Sequence, residues 1–164
     1  MKVDRYIVYR IVPFDMDIKV GDFVSPTSKS IDSKYKLIIE NALEEKRPSQ
    51  FVKRSSCLYV CYSKENAYEW ANIKYGRKNT SYKLLTLELT GDLFWFVSDF
   101  YNFLGDKYTQ TQLDKACVDY WNSITENTNN LKLDKGFEGL FVGNVMVTAI
   151  EYKNYINGES VDII

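Results

Sequence analysis

Apolar and polar residues alternate along several stretches of the chain, in the pattern of strands with one buried face. These stretches are rich in β-branched and aromatic residues, which favour strands. In the stretch Cys57–Tyr62 the alternation places Tyr59 on the same face as Cys57 and Cys61. Glycine predicts a turn at Thr90-Gly91-Asp92 and a bend or break of the last stretch at Gly143-Asn144. The predicted strands are Tyr6–Val12, Cys57–Tyr62, Tyr82–Leu89 and Leu140–Tyr152.

Three other stretches carry apolar residues three and four positions apart, which predicts helices with one buried side. The first runs from Lys34 to about Lys46. The second begins after Ser63, a favourable N-cap, and ends before Gly76. The third follows residue 109 or 111, either of which is a threonine suited to capping. Candidate caps of the first helix are Asp32 and Ser33. Mixed strands and helices predict one α+β domain with a largely antiparallel sheet.

Composition and charge narrow the class of protein. A chain of 164 residues with 45% hydrophobic and 26% charged residues fits one soluble domain with a real core. Its net charge of -1 gives no strong nucleic-acid signal and no attraction to an anionic membrane. It contains no apolar run of membrane-spanning length, and its N-terminus lacks the apolar region of a signal peptide. We therefore expect a cytoplasmic protein with no membrane partner.

The chain contains no histidine, which excludes histidine triads, histidine metal ligands and histidine general bases. With only three cysteines, the sequence gives no metal site. Any catalysis must therefore rest on carboxylates, Tyr, Ser, Arg, Lys or a bound cofactor. The 13 tyrosines, 9 phenylalanines and 3 tryptophans suit a pocket for a flat heteroaromatic ligand, and they suit an interface or a large core equally well.

Four side chains are candidates for function, and each of them also has a structural interpretation. Arg10 lies in an apolar strand and either faces solvent or turns inward to bind a phosphate or carboxylate. Tyr59 either packs in the core or holds a ligand. Asp99 follows a very apolar run and either caps the next helix or serves catalysis. Glu138 precedes the last strand, as a sheet-edge charge or as a carboxylate held beside a pocket.

Several motifs occur in a characteristic order. They are Tyr9-Arg10, Ile18–Pro26 (IKVGDFVSP), Arg54–Ala71, Leu84–Trp95 and the closing EGLFVGNVMVTAIEY. Together they resemble the small bacterial rifampin ADP-ribosyltransferases and poorly characterised phage and bacterial relatives. The resemblance spans about residues 6–152 and implies one ADP-ribosyltransferase-like domain over 1–164. That domain would have a split or bent antiparallel sheet with flanking helices.

The resemblance implies NAD as the cofactor, consumed as a substrate. Tyr59 matches the tyrosine on which nicotinamide stacks, and Arg10 falls where a histidine of the family holds the ribose. The cofactor site would also include Arg54 and Ser63. Glu138 falls near the catalytic carboxylate that stabilises the oxocarbenium-like transition state, and Asp99 is the alternative from the rifampin enzymes. We expect Arg10, Tyr59 and Ser63 to line one cleft, with at least one of Asp99 and Glu138 within reach of it.

Two functions are compatible with these residues. The first is an NAD-dependent mono-ADP-ribosyltransferase that modifies a protein, a nucleic acid or a small molecule in a bacterial or phage-infected cell. The second is a non-catalytic binding protein on the same fold, such as a phage-encoded anti-defence factor that binds a protein or a nucleotide. The set formed by Arg10, Tyr59 and Glu138 favours the first. The missing histidine favours the second.

Overall fold

A computed structural model describes residues 1–26, 34–76, 78–125 and 136–163. It confirms an α+β domain whose sheet is antiparallel throughout, with the strand order β1-β3-β4-β2 and β5 paired to β4. The strands are β1 Lys2–Pro13, β2 Leu58–Val60, β3 Thr80–Val97, β4 Phe137–Ile156 and β5 Glu159–Asp162. The helices are α1 Lys34–Glu45, α2 Lys64–Tyr75, α3 Asp99–Asn102 and α4 Gln110–Asn122. None of the helices described is long and apolar enough to cross a membrane.

Strand β4 organises the sheet, because both of its edges carry partners. Along one edge it pairs with β3 over almost its whole length. Along the other edge it meets β2, then the segment around Phe23, then β5. One isolated bridge joins β1 to the chain just after β2, where the amide of Tyr9 donates to Cys61 O at 2.9 Å and the amide of Cys61 donates to Tyr9 O at 2.7 Å. The sheet thus curves until its two outer strands nearly meet.

The turn predicted at Thr90-Gly91-Asp92 is wrong, and of the bend or break predicted at Gly143-Asn144 the break is wrong. Both β3 and β4 run through these positions, where Gly91 lies opposite Gly143. Their φ angles are 155° and 147°, a range that residues other than glycine rarely adopt. A Cβ on Gly91 would lie 2.3 Å from the carbonyl oxygen of Val142. The two glycines therefore allow a close approach of the paired strands, which continue through this point without ending.

The predicted caps of two helices are confirmed. Ser63 Oγ accepts a hydrogen bond of 3.0 Å from Asn66 N at the start of α2, which ends at Gly76. Thr109 forms a capping box with Gln112 at the start of α4. The caps predicted for α1 at residues 32 and 33 lie outside the described residues. Helix α4 and its buried aromatic residues cover the side of the sheet that carries the candidate site.

Candidate functional site

A buried arginine is at the centre of the candidate site. Arg54 begins a short 3-10 helix just before β2, and its side chain is 1% exposed. Glu138 is the second residue of β4 and is 3% exposed. The pairing of β2 with the start of β4 brings these two parts of the chain together. Charged side chains are rarely buried to this extent unless they are paired.

Arg54 uses its side-chain donors on two carboxylates. Its Nε and Nη2 atoms donate to the two carboxylate oxygens of Glu40 on α1, at 3.0 and 2.9 Å, which is the bidentate geometry that favours arginine. Its Nη1 atom donates to Glu138 Oε1 and to the hydroxyl of Tyr120. Its backbone amide donates to Glu44 Oε1 at 2.7 Å. The guanidinium group thus links α1 and α4 to the start of β4.

Both carboxylate oxygens of Glu138 are bound by protein groups. Oε1 accepts hydrogen bonds from Arg54 and from the Tyr120 hydroxyl, the latter at 2.5 Å. Oε2 accepts a hydrogen bond of 2.8 Å from the hydroxyl of Tyr101, which lies on α3. Glu138 is therefore held by one cation and two phenols. Its carboxylate faces the helices that cover the sheet.

Three aromatic rings surround the Arg54 guanidinium group. Its Cζ atom lies 5.2 Å from the ring centroid of Tyr59, 5.5 Å from that of Tyr101 and 5.0 Å from that of Tyr120. These distances allow cation–π attraction, which strengthens where water is excluded. The neighbours of Tyr59 in β2 pack on the opposite side of the strand, as the predicted alternation requires. Tyr59 thus packs beside a protein cation.

Burial and charge set the protonation states in this cluster. Burial alone would lower the pKa of Arg54, but Glu138 and then the tyrosines offset that effect and hold the pKa above its ordinary value. Burial raises the pKa values of Tyr59, Tyr101 and Tyr120 far above the ordinary tyrosine range. The phenols therefore stay neutral at neutral pH, and those of Tyr101 and Tyr120 donate hydrogen bonds to Glu138.

Two predicted cofactor residues have other partners. Arg10 shares a strand face with buried Val8 and is itself half-buried, with Nη1 donating to the carbonyl oxygen of Tyr59 at 2.5 Å. Burial lowers the pKa of Arg10, and no carboxylate among the described residues forms an ion pair with it. The hydroxyl of Ser63 is engaged in capping α2. Of the predicted set, the structure brings together the side chains of Arg54, Tyr59 and Glu138, and it brings Arg10 to the backbone of Tyr59.

The helix cap predicted at Asp99 is wrong. Ser98 occupies the N-cap position of α3, and Asp99 is the first residue within the helix. The Asp99 carboxylate accepts a hydrogen bond of 2.7 Å from the amide of Gly136, just before β4. A Cβ on Gly136 would meet that carboxylate at 2.1 Å, so a larger residue there would displace the Asp99 side chain. Asp99 therefore fixes the chain that leads into Glu138.

Sequence reasoning missed three members of the cluster, which are Glu40, Tyr101 and Tyr120. Tyr120 lies on the buried side of α4, where its spacing indicates core packing and gives no sign of a hydroxyl partner. Glu40 is 14 residues and Glu138 84 residues from Arg54 along the chain. The one available signal was that a buried arginine needs carboxylate partners, and this rule does not identify which carboxylates they are.

Neither of two shallow surface depressions contains a predicted site residue. One depression is lined by residues at the end of β1, the end of α2 and the start of β3. The other is lined by the segment that follows β1. In the described part of the chain, no group of three or more His, Cys, Asp or Glu residues could hold a metal ion.

Residues 12–157 match the model of a protein family that is described as Protein of unknown function (DUF2441). The match covers most of the chain. None of the curated proteins matches the chain. The match therefore gives the chain a family and assigns it no activity.

Proposed function

The chain belongs to this family, and we propose that it is a non-catalytic binding protein, built on a sheet of ADP-ribosyltransferase type, that acts by contacting another protein. The observation that carries the proposal is the engagement of both Glu138 oxygens by Arg54, Tyr101 and Tyr120. A carboxylate that stabilises a cationic transition state must face the reacting ribose. Glu138 instead faces a cation of its own chain.

The energetics of the pair support the same proposal. A substrate could reach Glu138 only if Arg54 or the two phenols moved aside. Separating a buried ion pair leaves an uncompensated buried charge, at a cost of about 3–5 kcal/mol. Arg54 would keep Glu40, but Glu138 would lose its buried ion pair with Arg54. We therefore assign Glu138 to folding and to the placement of Tyr59.

A second candidate is an NAD-dependent mono-ADP-ribosyltransferase. The observation that favours it is that Arg54, Tyr59 and Glu138, three of the residues implied by the resemblance, lie together where β2 pairs with β4. In that case NAD would displace Tyr101 or Arg54 and bring its ribose to Glu138. The acceptor would be a protein, a nucleic acid or a small molecule.

Thermal unfolding with added NAD tests the proposal. A ligand at 100 times its dissociation constant stabilises the folded state by about 2.7 kcal/mol, which is easily measured in a domain of this size. The non-catalytic protein is expected to melt at the same temperature with and without NAD. An NAD-dependent rise that disappears in Tyr59→Leu, but persists in the surface variant Phe103→Ala, would support the transferase and overturn the proposal.

A further inference from the structure

The segment after β1 is held rigidly on the edge of β4. The amide of Gly21 donates to Val147 O at 2.8 Å, and the amide of Val24 donates to Val145 O at 3.0 Å. In return, the amide of Val147 donates to the carbonyl oxygen of Asp22 at 2.9 Å. Backbone bonds on both sides of residue 23 therefore fix this part of the chain, although it lies between two elements.

The side chains of this segment divide into an anchoring set and an outward set. Met16, Ile18 and Val24 pack against the buried core. Phe23 points away from it and is 76% exposed, and Val20 is 61% exposed. Hydrophobic burial would favour turning a phenylalanine inward. Its neighbour Val24 already fills the core position, so the alternation of the bridged segment leaves the ring of Phe23 in solvent.

Acidic side chains outnumber basic ones in this segment, which contains three aspartates and one lysine, Lys19. Asp15, Asp17 and Asp22 are all exposed. No lysine or arginine among the described residues forms an ion pair with them. Two of the three line a shallow depression of about 390 Å³ together with Phe23. Lys19 belongs to the same segment but is not among the described residues that line the depression, which thus combines an aromatic side chain with two carboxylates.

We propose that this surface, formed by Asp15, Asp17, Val20, Asp22 and Phe23, binds a segment of a partner protein that carries both basic and apolar side chains. The inference rests on the proposed function, because it names the partner chemistry of a binding protein. Phe23 supplies a preordered aromatic anchor, and ordering costs little where the backbone is already fixed. The aspartates attract Lys or Arg side chains and repel nucleic acid and anionic lipid.

A titration with paired synthetic peptides tests the inference. One peptide alternates lysine with leucine, and its match carries glutamate in place of every lysine. We expect the lysine peptide to bind at least about tenfold more tightly, and added salt to weaken it. Phe23→Ala should weaken binding about tenfold or more, and Asp17→Asn should reduce both the affinity and its salt dependence. Phe103→Ala, which removes another ring that is 80% exposed, should change nothing.

Three results would overturn the inference. The first is equal binding of the two peptides, or none. The second is self-association that Phe23→Ala abolishes, which would make a second copy of this chain the occupant. The third is Phe23-dependent binding to uncharged phosphatidylcholine vesicles. The peptide titration and the NAD measurement fail independently, since neither result depends on the other.

Discussion

Arg54 donates a hydrogen bond from Nη1 to Oε1 of Glu138, and both side chains are almost fully buried. The bond joins the segment before β2 to the start of β4. It also fixes the cation against which Tyr59 packs. A residue that the sequence suggested as a catalyst is thus one half of a buried ion pair, and this relationship decides how the candidate site is interpreted.

Removing either member of this pair should destabilise the fold. Glu138→Gln leaves Arg54 without one of its two carboxylates, and we expect a loss of about 3 kcal/mol in the free energy of unfolding measured in urea. The double variant with Arg54→Met should cost less than the sum of the two single changes. Lys115→Gln breaks an exposed pair with Asp119 as a control, with an expected loss under about 1 kcal/mol. A Glu138→Gln loss no larger than the control would refute the structural role.

The three phenols around Arg54 should make the protein sensitive to alkali. In the unfolded chain tyrosine ionises near pH 10, whereas in the folded protein burial raises the pKa values of Tyr59, Tyr101 and Tyr120 well above that value. Their contribution to stability is therefore complete below about pH 10 and falls as the pH rises further, because the unfolded state releases protons first. Urea midpoints measured on both sides of pH 10 should fall less steeply in Tyr120→Phe. An unchanged slope would contradict the burial.

The paired glycines of β3 and β4 give a prediction about the fold. Gly91→Ala places a Cβ against the backbone of β4 and should cost more than about 2 kcal/mol. Gly105→Ala is the control, because its φ of 70° is also positive but no atom of the described residues lies within 4 Å of the new Cβ. Its expected cost is about 1 kcal/mol. Equal losses in urea unfolding would mean that backbone conformation alone, and not the close approach, explains Gly91.

Local features of the fold were predictable from the sequence, and pairings across the sheet were not. Ser63 and Gly76 mark the limits of α2 because a cap acts within one turn of chain. Gly91 has the sequence signature of a turn, and only its alignment with Gly143 across two strands shows that the chain continues there as a strand. The outward position of Phe23 likewise depends on a bridge to β4.

Three members of the candidate site were predictable from the sequence, and the residues that surround them were not. Arg54, Tyr59 and Glu138 were named from the sequence, and they do lie together. What the sequence could not supply is that helices α3 and α4 bring Tyr101 and Tyr120 over the same carboxylate. Those hydroxyl groups decide whether Glu138 faces a substrate, and their positions depend on how elements that are distant in the sequence pack together.

The most direct test of the central claim, that Glu138 serves the fold and not a reaction, is incubation of the protein with labelled NAD and bacterial lysate. The wild type and Glu138→Gln are compared after both are shown to be folded at the assay temperature. We predict that neither transfers label nor releases nicotinamide above a protein-free control. Label transfer by the wild type that falls by a factor on the order of 100 or more in folded Glu138→Gln would contradict the account and establish Glu138 as a catalytic residue.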